Sequence, residues 1–288
     1  MKNKVGLKAS ETIMKFIFLA AACVSVLSVV LICIFLFANG LPAIKEIGLI
    51  DFLSGKIWRP GNDLYGIYPM ILGSIYVTIG AIIIGVPIGI LTAIFMSKFC
   101  PKYLYKIMKP AVQLLAGIPS VVYGFFGLVV IVPFVRDYLG GNGHSIFTAS
   151  ILLGIMILPT IISLSESAIN SVPNSYYEGA LALGATHERS VFFTVVPAAK
   201  SGIFAGIILG IGRAIGETMA VIMVAGNQAR VPDDVFKGVR TLTANIVMEM
   251  GYATDLHRES LIATGVILFV FILIINFAFS IVKRRAKC

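Results

Sequence analysis

Charged residues are scarce in this chain of 288 residues: they make up 13% of it, and only 14 of them are acids. Tryptophan occurs once and cysteine four times. Soluble domains carry about 25% charged and about 45–50% apolar residues, whereas the apolar share here is 58% and the mean hydropathy is +0.96. The composition excludes a soluble globular enzyme and predicts an integral membrane protein.

The chain also lacks the patterns that hold cofactors. Its cysteines, Cys23, Cys33, Cys100 and Cys288, form no CxxC pair and have no neighbouring histidine, so neither a disulfide framework nor a zinc site is predicted. A P-loop needs G-x-x-x-x-G-K-[ST], and the single Gly–Lys pair, at 55–56, is followed by isoleucine and lacks the upstream glycine. The histidines are scattered over separate loops. We therefore expect no cofactor and no enzyme activity in this polypeptide, and a separate chain to hydrolyse ATP if transport is ATP-driven.

Six apolar runs are long enough to cross a bilayer, whose core of about 30 Å needs roughly 20 helical residues. They are much longer than the strands of about 9–11 residues in a membrane barrel. The first run follows four lysines, as a signal peptide would, but its 23 apolar residues exceed the roughly 7–15 of a signal core. The sequence therefore predicts an all-α protein with six transmembrane helices, at Phe16–Ala38, Ile71–Met96, Ala111–Val135, Ile146–Ser165, Ile203–Gly226 and Leu261–Val282.

Positive charge falls on one side of these six spans. The N-terminal tail, the loops 97–110 and 166–202 and the C-terminal tail together hold 14 Lys/Arg and four acids. The loops 39–70, 136–145 and 227–260 hold eight Lys/Arg and nine acids. Because Lys and Arg are retained on the cytoplasmic side, both termini are predicted to be cytoplasmic.

The cytoplasmic loop at 173–197 has the sequence pattern of two short helices. Ser175 and Glu178 are spaced as a capping box. Gly184 is placed to end the first helix in a left-handed conformation, and Pro197 would end the second. Helices this short are marginal in water on their own, so either the membrane surface or a partner protein must hold them.

The same loop resembles the EAA loop of ABC-importer permeases. The likeness rests on Glu178–Gly179–Ala180, on Gly184 six residues after Glu178, and on Pro197 thirteen residues after Gly184. Gly179 stands where the family has alanine, which slightly lowers the local helix propensity. In that family the loop is the coupling helix that docks in a cleft of the cytoplasmic ATPase. The resemblance therefore favours a docking element over a helix pair lying on lipid.

Further motifs resemble the permeases of phosphate-specific ABC importers, of the PstC type. They stand in the family's order and extend the likeness over most of the chain: Trp58–Arg59–Pro60, Tyr65–Gly66–Ile67–Tyr68–Pro69, Gly117–Ile118–Pro119–Ser120 and the run RAIGETMA at 213–220. The resemblance implies a MetI-like permease core formed by spans two to six, within residues 71–282. Span one would lie outside this core, in an N-terminal part at 1–70, and a basic cytoplasmic tail at 283–288 would follow.

The resemblance also implies partners and a location. A second permease of the PstA type would complete the pathway, and a homodimeric ATPase of the PstB type would bind ATP and Mg²⁺. An extracytoplasmic binding protein of the PstS type would deliver phosphate. The chain would lie in the lipid bilayer of the cytoplasmic (inner) membrane as a multi-pass protein, and no nucleic acid is expected among its partners.

Span five carries the only charged residues inside the six runs, Arg213 and Glu217. Four residues apart in a helix, they would point within about 40° of each other. They would share a stripe with Gly206 and Gly210 that we expect to pack against another helix. A charge at the bilayer centre costs at least about 2.5–3.5 kcal/mol. Two interpretations stay open: a structural ion pair, or a substrate path or gate in which Arg213 offers donors to an oxyanion. The resemblance implies essential roles for both residues.

Two other segments are candidates for the substrate path. Gly117, Pro119 and Ser120 could open span three and expose backbone amides to an anion, or they could form an ordinary proline kink. On the outer side, the loop 227–260 is predicted to form short helices over the mouth of the pathway. The resemblance implies that a binding protein docks on this outer side.

The sequence predicts a permease subunit that forms half of the pathway for inorganic phosphate in an ATP-driven importer. A permease for another oxyanion, sulfate or molybdate, is the nearest alternative. A secondary transporter or channel that uses Arg213 and Glu217 as a charge relay is an alternative from another class, and a sensory role alongside transport also stays open. ATPase coupling is assigned to Ser175, Glu178, Gly179, Ala180, Gly184 and Pro197.

Overall fold

The computed structural model describes residues 2–285, and for residues 2–10, 279–280 and 282–285 it describes the backbone alone. The side chains of the basic tail predicted at 283–288 lie outside the described residues. The helices are α1 (Lys2–Ile47), α2 (Leu49–Ser54), α3 (Tyr68–Ile94), α4 (Lys102–Gly117), α5 (Ser120–Phe126), α6 (Val132–Leu139), α7 (Ile146–Asn170), α8 (Asn174–Ala182), α9 (His187–Ser190), α10 (Val196–Ala198), α11 (Lys200–Gly216), α12 (Met219–Val224), α13 (Leu242–Glu249) and α14 (Asp255–Arg285). The strands are β1 (Trp58–Arg59) and β2 (Leu64–Tyr65), with a 3-10 turn at Pro60–Asn62 and π-helical turns at Phe95–Phe99, Gly127–Ile131 and Val191–Val195.

Six membrane spans can be counted in the described residues, as predicted. Five are single stretches that are long and apolar enough to cross a bilayer: Glu11–Ile47, Tyr68–Phe99, Ser120–Leu139, Ile146–Asn170 and Asp255–Ala278. The sixth is reached by taking two helical stretches, His187–Ala198 and Lys200–Gly216, which meet at a bend of 68°, together as one span.

The first and last spans are antiparallel neighbours. Gly40 of α1 lies so close to Val266 of α14 that a side chain on Gly40 would collide with it, and Phe37 meets Phe269 edge-on at 6.1 Å. The two chain ends therefore lie on the same side, in agreement with the charge pattern. Residues 11–35 of α1 are exposed along nearly their whole length, so this half of span one stands apart from the other helices.

The core is built on α7, whose most apolar stretch is 67% buried, the largest share among the five single-helix spans of the described residues. Helix α3 packs beside it in parallel and α11 in antiparallel orientation, and glycines allow both close approaches. The contacts pair Gly80 with Ser150, Gly85 with Ile157, Gly206 with Leu164 and Gly210 with Ile161. The expectation that Gly206 and Gly210 pack against another helix is therefore confirmed.

Span three starts later than predicted, after a break in the helix that falls inside the predicted span. The predicted span Ala111–Val135 begins inside α4, which is amphipathic and ends at Gly117. The backbone is extended at Ile118 and Pro119, and the membrane-spanning stretch then runs from Ser120 to Leu139. Hydropathy did not separate the two helices because the residues on both sides of the break are apolar.

The cytoplasmic loop forms the two predicted short helical segments, with two corrections. Gly184 is left-handed, with φ of +84°, as expected. The predicted capping box is wrong: Pro173 takes the capping position and Ser175 lies inside the first turn, so no side chain caps α8. Pro197 does not end the second helix, because it lies in the first turn of α10, where its missing N–H is not needed. The helical stretch continues to the bend at Ala199.

The outer side carries a small hairpin and one helix. Trp58 of β1 pairs with Tyr65 of β2, and Gly55 and Gly66 cross in direct backbone contact at the base of the hairpin. Helix α13 lies in the loop 227–260, which confirms a short helix in that loop.

Candidate functional site

The charged residues of span five lie on either side of a break in the helix. Arg213 is in the last turn of α11, Gly216 ends that helix, and Glu217 is extended, with φ of −69° and ψ of +131°. The prediction that Arg213 and Glu217 share one helical face is wrong, because the helix that would align them ends between them. Among the described residues, no ion pair or hydrogen bond joins the two side chains. The structural ion pair is therefore not formed in this conformation.

Side chains replace the backbone hydrogen bonds that the break removes. The Glu217 Oε1 atom accepts from the Ala220 N–H at 3.2 Å. The Thr218 hydroxyl donates to Gly216 O at 3.2 Å, and the Thr243 hydroxyl donates to Glu217 O at 3.0 Å. In a bilayer each unsatisfied backbone group costs several kcal/mol, so these bonds stabilise the break. Glu217, the residue before the N-cap residue Thr218, thus caps one free N–H of α12 with its side chain.

Arg213 lines a cavity of about 600 Å³ between α7, α11 and α14. Its polar neighbours in the lining are Thr160 of α7 and Asn276 of α14, and the other lining residues are Ala205, Ile208, Leu209 and Gly212. Arg213 is partly buried, and it makes no hydrogen bond or ion pair within the described part of the chain. A guanidinium is always charged and presents a planar fork of donors that matches an oxyanion. The cavity therefore offers an unpaired cation within a membrane span.

The segment at Gly117, Pro119 and Ser120 is a break and not a kink. The extended backbone at Ile118 and Pro119 separates α4 from α5, whereas a proline kink would leave one bent helix. Tyr123 donates its hydroxyl to the carbonyl of Leu115 at 2.8 Å and so bridges the break. No atom lies within 4 Å of the point where a side chain on Gly117 would begin, apart from its chain neighbours and its own helix backbone. One side of the break is open.

The short helices after the two breaks pack side by side in parallel. Gly124 of α5 contacts Ala220 of α12, and Gly127, three residues later, contacts Val224. Counting back along both helices from these contacts places Ser120, the first residue of α5, at the level of Gly216 and Glu217. Their free N–H groups carry partial positive charge. The structure therefore aligns the break of span three with the break at Glu217.

The predicted coupling residues form an exposed cytoplasmic surface. Of the six predicted coupling residues, Ala180 is partly buried. The other five are exposed: Ser175, Glu178, Gly179, Gly184 and Pro197. A hydrogen bond of 2.8 Å between the Tyr177 hydroxyl and His187 Nδ1 joins α8 to the second helical segment. The surface is a fixed pair of short helices and not a loose connector.

Glu166 is buried, although from the sequence it is only one of the acidic residues of the loop 166–202. Its Oε1 atom accepts from the Tyr105 hydroxyl and its Oε2 atom from the Lys109 ammonium, both at 2.6 Å. The side chain of Glu166 is 2% exposed. The pair ties α4 to the cytoplasmic end of α7. In the sequence, Tyr105 and Lys109 are spaced to lie on one helical face, which indicates a shared polar contact. The spacing does not show that this contact is made with Glu166.

These observations define a class of protein. Six candidate spans, two helix breaks at one level near an arginine that has no ion-pair partner among the described residues, and an exposed helical loop on one side are features of the membrane-embedded subunit of a transporter. The model of the family described as "Binding-protein-dependent transport system inner membrane component" matches residues 85–287. The chain belongs to this family.

Relatives are similar over most of their length. The probable ABC transporter permease protein YqgH of Bacillus subtilis is 40% identical over 274 residues, which cover 91% of this chain and 89% of that protein. The phosphate transport system permease protein PstC of Mesorhizobium japonicum is 36% identical over 260 residues, which cover 83% and 79%. Both relatives are named as permeases. The resemblance to permeases of the PstC type is confirmed.

Solved structures share the fold. A bacterial alginate ABC transporter, solved in complex with an alginate pentasaccharide-bound periplasmic protein, matches with a TM-score of 0.63 and 17% identity over 92% of this chain and 94% of that chain. The MetNI methionine ABC transporter in an inward-facing conformation matches with a TM-score of 0.58 and 20% identity over 80% and 99%. The predicted MetI-like permease fold is confirmed.

Proposed function

We propose that the chain is a permease subunit that forms half of the pathway for inorganic phosphate in an ATP-driven importer. The observation that carries this proposal is Arg213, a permanent cation that has no described partner and lines a cavity between three spans. An intramembrane cation without a partner is a candidate for function, and a guanidinium binds oxyanions well. Similarity to relatives named as phosphate transport permeases supports phosphate as the oxyanion.

In this proposal Arg213 and Glu217 line or gate the path together. Glu217 is engaged as the cap of α12, so Arg213 is free to donate to an anion in the present conformation. A movement of α12 that breaks the cap would free the Glu217 carboxylate to compete with the anion for Arg213. The break at Gly117, Pro119 and Ser120, at the same level, would present further backbone donors to the anion.

The loop 173–197 would transmit the movement of the ATPase. Helix α8 follows the end of α7 after only three residues, and the second helical segment leads through the bend at Ala199 into α11, which carries Arg213. A partner that moves α8 therefore acts on two core helices at once. Ser175, Glu178 and Gly184 lie on the exposed surface that such a partner would contact.

The partners follow from the same proposal. A second permease of the PstA type would complete the pathway, and a homodimeric ATPase of the PstB type would bind ATP and Mg²⁺ and hydrolyse the ATP. A binding protein of the PstS type would dock on the outer side, and the complex would lie in the cytoplasmic (inner) membrane. The family description, which names a binding-protein-dependent system and an inner membrane component, supports this arrangement.

Uptake of radiolabelled phosphate at low external concentration tests the proposal, in cells with and without this chain and with sulfate as the control. We expect loss of phosphate uptake on deletion, while sulfate uptake stays unchanged. Unchanged phosphate uptake in cells that have no redundant phosphate system would contradict the proposal. Loss of sulfate uptake instead would assign the chain to another oxyanion.

A further inference from the structure

A short segment of the outer loop, residues 239–243, reaches from the outer side to the break in span five. At one end, the Val239 N–H donates to Ala225 O at 2.8 Å, directly after α12. At the other end, the Thr243 hydroxyl donates to Glu217 O at 3.0 Å, just before α12. The segment therefore runs antiparallel beside α12 over its whole length. We call residues 239–243 the wedge.

Helix α3 holds the wedge on its other side. Gly73 has no side chain, which lets the backbone of Arg240 lie directly against α3; a Cβ atom on Gly73 would collide with Arg240 O. The Ser74 hydroxyl accepts the N–H of Leu242 at 3.0 Å. The wedge is buried apart from the side chain of Arg240. Since both neighbouring helices contact it directly, the wedge and α12 are expected to move together.

The hydrogen bonds at the inner end of the wedge have a defined direction. The carbonyl of Glu217 has no proton, so Thr243 must donate its own. The hydroxyl oxygens of Thr241 and Thr243 are 3.1 Å apart, and Thr243 can then only accept from Thr241. Thr241 in turn accepts the N–H of Ala244 at 3.2 Å as the cap of α13. A continuous chain of hydrogen bonds leads from the start of α13 to the break.

The wedge is part of a larger outer platform, made of the hairpin 58–65, the wedge, α13 and the first turns of α14. Glu249 joins all four parts, and its side chain is only 9% exposed. Its Oε1 atom accepts from Arg240 at 2.6 Å, and its Oε2 atom accepts from the Trp58 indole at 2.8 Å and is hydrogen-bonded to His257 Nε2 at 2.9 Å. A carboxylate with three partners on three other segments makes the platform one unit.

We propose that Thr243 is a positioning residue that transmits docking on the outer platform to the break at Glu217. This inference rests on the proposed function, because it requires a protein that docks from outside. A displacement of the platform moves Thr243, and the carbonyl of Glu217 follows it. The carboxylate of Glu217 also caps α12, so the position of Thr243 sets how α12 begins.

The test uses the assembled complex in lipid vesicles and measures ATP hydrolysis with and without the phosphate-loaded binding protein. The variants are Thr243→Val, which keeps the shape and removes the hydroxyl, and Thr243→Ser, which keeps the hydroxyl. The matched control is Thr264→Val. Thr264 is fully buried in α14, and among the described residues its hydroxyl bonds only to the carbonyl of Ser260 in its own helix. The amount of assembled complex is measured for each variant.

We expect Thr243→Val to lower the stimulation by the binding protein about fivefold, the factor that corresponds to the roughly 1 kcal/mol of one net hydrogen bond. Thr243→Ser and Thr264→Val keep the stimulation of the wild type. Equal stimulation in Thr243→Val and wild type would overturn the inference, as would an equal loss in Thr264→Val, which would indicate general destabilisation. A wild-type complex that does not respond to the loaded binding protein would overturn the proposed function, and this inference with it.

Discussion

Arg213 is the residue on which anion binding depends in this account, because its charge has no partner among the described residues. Arg213→Gln removes the charge and its fork of donors. Hydrogen bonds to charged groups contribute about 1.5–3 kcal/mol, so we expect phosphate uptake to fall about ten- to a hundredfold. Arg213→Lys keeps the charge without the planar fork and should retain part of the activity. Initial uptake rates, normalised to the amount of protein in the membrane, check this. Wild-type uptake by the Gln variant would show that Arg213 does not line the phosphate path.

Glu217 has a structural role that can be separated from its charge. Glu217→Gln keeps an oxygen that can accept from the Ala220 N–H, whereas Glu217→Ala removes the cap of α12. Loss of a cap costs about 0.5–2 kcal/mol, so we expect the Ala variant to unfold at a lower temperature than the Gln variant. Both variants should lose phosphate uptake if the carboxylate competes for Arg213. Thermal unfolding of the purified complex and uptake assays measure the two effects; equal destabilisation in both variants would argue against the cap.

At the residue scale, the sequence identified Arg213 and Glu217 but not their geometry. An uninterrupted helix was the natural expectation for an apolar run, and no local signal marked its end after Gly216. The buried carboxylates of Glu166 and Glu249 were also missed. Lys109 is 57 positions from Glu166, and Trp58 is 191 positions from Glu249, although Arg240 and His257 lie within nine positions of Glu249. Periodicity and spacing carry no information on such pairs.

At the scale of elements, the coupling loop depends on the turn at Gly184. Its φ of +84° is accessible to glycine, whereas proline is fixed near −65°. We expect Gly184→Pro to reorient α8, so that the complex inserts in the membrane and hydrolyses ATP but no longer couples hydrolysis to uptake. Glu178→Lys should have the same effect through reversed charge. The measurement is the ratio of phosphate taken up to ATP hydrolysed in vesicles.

Gly179→Ala is the matched control for this prediction. No atom outside its own helix backbone and its chain neighbours lies within 4 Å of the new methyl group, and alanine is the better helix former by about 0.8–1.0 kcal/mol. The variant should keep the coupling ratio of the wild type. Normal uptake by both Gly184→Pro and Glu178→Lys would show that the loop is not the coupling element.

The contact between α4 and α7 makes a separate prediction. Lys109→Met removes the cation that faces the buried Glu166 carboxylate, and an unpaired buried charge is costly, by about 3–5 kcal/mol when both partners are buried. Lys109 is 31% exposed, so we expect a smaller loss of stability, of about 1–3 kcal/mol. Denaturant unfolding of the purified complex measures it. Lys109→Arg keeps the charge and should be close to wild type; an unchanged stability of the Met variant would mean that Glu166 is held by Tyr105 alone.

Spans one, two, four and six could be predicted from hydropathy because each is one helix, long and apolar enough to cross the bilayer. Spans three and five could not be predicted correctly in detail. A hydropathy profile averages over a window of residues, so it does not detect one extended residue, such as Ile118, between two helices whose adjoining ends are apolar. In span five the bend at Ala199 and the break at Glu217 depend on packing against α7 and the wedge. These tertiary contacts decide where the helices end.

At the scale of the whole molecule, charge and topology agree. The side that is rich in Lys and Arg carries the exposed loop 173–197, and the antiparallel packing of α1 and α14 places the N-terminal end of α1 and the C-terminal end of α14 on one side. The opposite side carries the outer platform. The two breaks lie between these two sides, which is the arrangement expected of a subunit that responds to partners on both sides of a membrane.

The most direct test of the central claim is phosphate uptake into sealed vesicles that contain this chain with its second permease and ATPase. Three conditions are compared: ATP with the loaded binding protein, ATP alone, and a phosphate gradient without ATP. We expect substantial uptake only in the first condition, and its loss with Arg213→Gln. Uptake driven by the gradient alone, unchanged in the absence of ATPase and binding protein, would contradict the account and identify a secondary transporter or channel.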